Sequence, residues 1–131
     1  MRIKTDPLLR AALLGNAAFS TLSAAAMLLA SDSLAAATGI PAAALSSTGI
    51  ALLIFAADLV LVARGKEAHR LFVWAFIGAD GLWVAGSIAA LALATVLTPI
   101  GQGAVAAVAA VVAVFGWLQY RGLRASAPAA T

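Results

Sequence analysis

The stretch GLWVAGSIAALALATVLTPIGQGAVAAVAAVVAVFGWLQY, residues 81–120, carries no charged side chain. An α-helix needs about 20 apolar residues to cross the hydrocarbon of a bilayer. Forty such residues in a row are therefore two crossings rather than one. Thr98-Pro99-Ile100-Gly101 lies inside the run and supplies the turn that divides it. The reading is one span ending near Leu93 or Ala94 and another over residues 100–119.

Working outward, the third span begins after the basic segment Arg64-Gly65-Lys66-Glu67-Ala68-His69-Arg70 and covers residues 71–94, interrupted by one charge, Asp80. Before that segment, residues 42–63 form a second span interrupted only by Asp58, preceded by Gly39-Ile40-Pro41, a helix stop followed by a favourable helix start. Residues 11–31 are again uncharged, between Arg10 and Asp32, and give a first span over about 10–30. Residues 31–41 are expected at the outer surface, with Ser31 to Thr38 as a short helix. The basic start and Ser33-Leu34-Ala35-Ala36-Ala37 have the look of a cleaved signal peptide, but the apolar run exceeds the 7 to 15 residues of such a segment.

Composition agrees. Of 131 residues 64% are hydrophobic and 10% charged, against roughly 25% charged in a soluble domain. A chain this short has too much surface per unit volume to hide that much apolar area from water. The fold expected is all-α: an antiparallel four-transmembrane-helix bundle forming a single membrane domain. Its orientation follows from charge, because cytoplasmic loops are enriched in Lys and Arg. All 8 basic residues fall at the N-terminus, in the 64–70 loop or at the C-terminus, which four crossings place on one side. Both termini are thus expected in the cytoplasm. The basic residues flank apolar runs instead of clustering on a soluble face, so no nucleic-acid partner is expected.

In lipid, helices associate by close backbone approach and polar contacts. Gly78, Leu82, Gly86 and Ala90 recur every fourth residue on the third span, and Ala106, Ala110 and Ala113 share a side of the fourth; both stripes are expected at helix interfaces. Trp74, Trp117 and Tyr120 lie near the basic end, where amphipathic rings anchor at the headgroups. Trp83, about 18 Å from Arg70 along a helix, is expected to be buried, with its indole N–H in search of a partner.

An ionisable group inside a spanning helix costs roughly 2.5 to 3.5 kcal/mol on insertion scales and calls for an explanation. Counted from the basic ends, Asp58 lies about 9 Å deep and Asp80 about 15 Å. Asn16 is expected level with Asp58, and Ser20 level with Asp80. Ser87 continues the Asp80 face, and Arg10 or Arg64 serves as a counter-charge to Asp58. Asp58, Asp80, Asn16, Ser20, Trp83 and Ser87 are the candidates for binding a ligand or proton. The alternative is that the carboxyls hydrogen-bond across helices and only fix register. The segments 57–63 and 79–85 match at four of seven places, which alanine abundance accounts for.

No cysteine is present, and the single His69 lacks a second donor at ligand spacing. No metal, cofactor or catalytic residue is expected. Leu8-Leu9-Arg10 with Leu14-Gly15-Asn16, Leu34 to Pro41, Ala79-Asp80-Gly81-Leu82-Trp83-Val84, Leu97-Thr98-Pro99-Ile100-Gly101 and Leu118-Gln119-Tyr120-Arg121-Gly122-Leu123-Arg124 together resemble a group of small bacterial four-span membrane proteins. The resemblance covers nearly the whole chain and implies a bacterial inner membrane without implying an activity. The chain does not resemble the small multidrug exporters, whose essential acid stands in the first span, where this sequence has Asn16.

Three functions remain open. The favoured one is a non-enzymatic bundle that binds a lipid, a hydrophobic small molecule or a membrane-protein partner. The second is a channel or proton-coupled transporter, a dimer using Asp58 and Asp80. The third is an intramembrane acid-base enzyme.

Overall fold

In the computed structural model, which describes residues 1–129, the chain is helical apart from two three-residue strands. In chain order these are β1 (Arg2–Lys4), α1 (Pro7–Leu29), α2 (Ser31–Thr38), α3 (Ala42–Arg64), β2 (Glu67–His69), α4 (Arg70–Leu93) and α5 (Pro99–Ala125). Four of the helices, α1, α3, α4 and α5, are long and apolar enough to cross a membrane.

Local chemistry sets their ends. Asp6 caps α1 by accepting from the Leu8 amide at 2.9 Å, with Pro7 at the first helical position. Thr98 caps α5 through the Gly101 amide at 3.0 Å, again followed by proline. Gly39 ends α2 with φ of 80°. A side chain there would be strained and would also strike the Val96 carbonyl, so glycine is required.

α1 is the central helix, packed along α3 on one side and α5 on the other, and α5 in turn packs along α4. α3 and α4 make no comparable backbone approach, and the edge-to-face pair Phe55–Phe76, centroids 5.7 Å apart, spans the gap between them. Glycines mediate the close crossings of α1. A Cβ on Gly122 would lie 2.5 Å from Leu9 Cα, one on Gly49 2.9 Å from Leu28 Cγ, and one on Gly15 2.8 Å from the Phe115 ring.

The small-residue stripes read from the sequence are not at these crossings. Gly78 and Gly86 are exposed with nothing near them, Leu82 is 76% exposed, and Ala106, Ala110 and Ala113 face outward. The buried face of α5 carries Ala109, Val112, Gln119, Gly122 and Leu123 instead. In an alanine-rich helix every face carries a small-residue stripe, so spacing alone did not identify the packed one.

One end of the molecule is tied together by backbone. β1 and β2 pair antiparallel, Ile3 opposite Ala68, and Pro128 bridges to Ile3 from the other side. The Lys4 amide donates to the Ala127 carbonyl at 2.8 Å and the Thr5 amide to the Lys66 carbonyl at 3.0 Å. The N-terminal segment, the 64–70 loop and the C-terminal segment thus meet at the same end, with Ile3 buried among them. At the opposite end the Thr98 amide and hydroxyl donate to the carbonyls of Thr38 and Ala37, joining α2 to the start of α5.

Packing differs between the two halves. Toward the strand end, Leu9, Leu13, Leu59 and Val73 are wholly buried and Leu123 is 2% exposed, in one continuous apolar core. Toward the α2 end the space between helices is not filled. Outward surfaces of the long helices are predominantly apolar, with Leu22, Leu29, Ile54, Leu61, Ile88 and Val114 all exposed and Asp58 an exception on α3.

Candidate functional site

Asp80, 4% exposed, stands where the packed half meets the open half. Two amides hold it. Asn16 Nδ2 donates to Asp80 Oδ2 at 3.0 Å and to Oδ1 at 3.2 Å, and Gln119 Nε2 donates to Oδ2 at 2.7 Å. Asn16 Nδ2 also donates to Gln119 Oε1 at 3.0 Å, so residues from α1, α4 and α5 close a triangle. Ser20 Oγ extends it by donating to Asn16 Oδ1 at 3.4 Å. Three of the four side-chain bonds within this triangle end on the oxygens of the acid.

Asn16, rather than Ser20 one turn further along α1, is the residue that stands level with Asp80. Arg10 stands inside the first turn of α1, four residues after Asp6, so counting from it shortens the depth of Asn16. Counted from the helix starts, Asn16 is the tenth residue of α1 and Asp80 the eleventh of α4.

Asp58 lies elsewhere, exposed on the outer side of α3. The expected counter-charges do not reach it: Arg10 Nη2 donates to the Gly65 carbonyl at 3.1 Å, and Arg64 is exposed. Among the described residues the one ion pair is Arg2 with Glu67, at the strand end. Gln119, fully buried, had escaped notice because it falls just before Arg121 and read as the end of a span. Its position three residues before Gly122 and seven after Val112 puts it on the buried face of α5.

Above Asp80 opens a cavity of about 310 Å³ among α1, α3, α4 and α5, with Asn16, Ser20, Thr48 and Trp83 on its polar side and Phe19 and Phe55 on its apolar side. A second cavity, also about 310 Å³, shares Ser23, Thr48, Trp83 and Val108 with the first and continues past Ser87 to Thr38 and Ile40. Through these shared residues the two adjoin as one elongated chamber, with Asp80 lining its inner part. Ser87 faces its outer part, its hydroxyl donating to the Trp83 carbonyl at 2.8 Å rather than across to the acid. Trp83 Nε1 is buried and has no hydrogen-bond partner among the described residues. On the other flank Asp80 touches a shallow outer groove between α4 and α5, lined by Gly81, Gly116 and Trp117.

Near the strand end Tyr120 packs tilted against Trp74 and Trp117, centroids 5.9 and 5.8 Å apart, with Arg121 over Trp117 and Arg124 over Tyr120 at 6.0 Å. His69 caps α4 by accepting from the Leu71 amide at 3.1 Å. Among the described residues no group of three metal-ligating side chains converges.

Four helices of membrane-spanning length and apolarity define the class, an all-helical protein, and within it one buried acid is held between two amides beside a cavity. No protein-family model, curated protein or solved structure matches this chain.

Proposed function

We propose that the chain crosses a bacterial inner membrane four times as an antiparallel helical bundle, both termini cytoplasmic, and that it is a non-enzymatic protein binding a lipid or hydrophobic small molecule in the chamber above Asp80. The membrane reading is supported by the apolar outward faces, which lipid tolerates and water does not. The strand end gathers the basic segments, as the positive-inside bias requires.

The observation that carries the binding reading is Asp80 itself. A buried acid whose only duty was helix register would be enclosed on all sides, whereas this one lines the inner part of an elongated chamber of ligand size. The packed apolar core between Asp80 and the strand end favours binding over conduction. Asp58, outside the chamber, supplies no second acid for a relay or for acid-base chemistry.

Native mass spectrometry of the protein released from lipid nanodiscs tests this reading. The parent chain should retain an amphiphile that Thr48→Leu, which adds bulk where the two cavities meet, does not. Equal retention by both would contradict it.

A further inference from the structure

We infer that the ligand of this chamber is a single-chain amphipathic amine, its ammonium group docked on Asp80 and its chain lying toward the α2 end. The inference rests on the binding reading above and narrows it to one chemistry.

Charge comes first. Asp80 is the one ionisable residue lining either part of the chamber; no Lys, Arg or His does. Arg10, which the sequence offered as a counter-charge to Asp58, is turned to the Gly65 carbonyl. Asn16 and Gln119 contribute dipoles and no net charge. A cationic ligand supplies the missing charge, and an anionic one would face the carboxyl in a medium where repulsion is strong.

Hydrogen-bonding capacity points the same way. A carboxylate has about four acceptor sites. Asp80 Oδ2 accepts two bonds and Oδ1 one, which leaves a site on Oδ1 for an ammonium N–H. Trp83, one turn further along α4, offers an unpartnered N–H for an acceptor beside the amine. Phe19 and Phe55, aromatic rings of the kind that attract cations, line the same cavity.

Shape completes the match. The Asp80 end is polar, with Asn16 and Ser20, whereas the continuation is walled by Met27, Leu34, Leu45 and Val105. From Asp80 to Ser87 is about 10 Å along α4, room for a short alkyl chain. The seam between α3 and α4, bridged by Phe55 and Phe76, is the weakest side of the chamber and the natural approach from the bilayer.

Trp83 serves as the reporter. In a Trp74→Phe/Trp117→Phe background the remaining indole emission follows titration with octylamine, octan-1-ol and octanoate in maltoside micelles. Octylamine should bind about tenfold more tightly than octan-1-ol, and octanoate most weakly. Asp80→Asn should abolish the preference for amine while keeping octanol binding, and Thr48→Leu should abolish all binding. Equal affinity for amine and alcohol in the parent background would overturn the amine assignment and leave the chamber a binding site. No response to any of the three would remove the binding reading itself. Octylamine binding that survives Thr48→Leu would put the amine in the outer groove and overturn the assignment. The headgroup comparison needs no substitution at Asp80, so a misfolded Asp80→Asn cannot obscure it.

Discussion

Asp80 is held by amides from two other helices, and these bonds lock α1, α4 and α5 together. Interhelical hydrogen bonds in membranes average well under 1 kcal/mol, but one made to an acid that is otherwise cut off from solvent is worth more. Gln119→Leu, which removes the 2.7 Å bond, should lower stability by about 1 to 2 kcal/mol in detergent unfolding titrations. Asp58→Asn should change it by no more than about 0.5 kcal/mol, since the Asp58 side chain is exposed. At this scale the sequence was partly legible. An acid in an apolar run is conspicuous, and Asp80 with Asn16 and Ser20 stood out for that reason. Gln119 did not, because an uncharged amide close to Arg121 looks like interface. Asp58 stood out as strongly as Asp80, yet lies on the outer face of α3; apolar neighbours surround both, so the pattern alone could not tell an inward acid from an outward one.

Elements meet where glycine lets backbones approach, and the cost of filling those contacts separates packed faces from free ones. Gly122→Ala would set a Cβ 2.5 Å from Leu9 Cα, backbone against backbone, and should destabilise by about 1 to 3 kcal/mol. Gly86→Ala meets nothing and should be neutral or slightly stabilising, since alanine favours helix by up to about 1 kcal/mol. Parallel unfolding titrations of the two variants check both expectations. Existence and order of the four long helices were readable from charge-free runs alone. The end of α5 was not: the expected span stops at residue 119, while the helix continues to Ala125. Arg121 and Arg124 mark the limit of apolarity, but Gly122 and Leu123 remain buried against α1, so tertiary packing carries the helix past that limit.

Considered whole, the molecule is clamped at the strand end and open inside at the other. Three segments distant in sequence join there through β1, β2 and the Pro128 bridge, an arrangement with no periodic signal that could have foretold it. Ile3, 1% exposed, plugs the junction, and Ile3→Ala should cost about 2 kcal/mol or more in the same unfolding assay. In the topology proposed above this clamped end faces the cytoplasm and the α2 end faces outward. Because the chain has no cysteine, a single one introduced at an exposed position reports its side without ambiguity. Intact cells expressing Ser33→Cys or Lys66→Cys, treated with a membrane-impermeant maleimide, give the most direct reading. Labelling of Cys introduced at 33 with protection at 66 until the cells are lysed is the predicted result; labelling at 66 in intact cells would contradict the account.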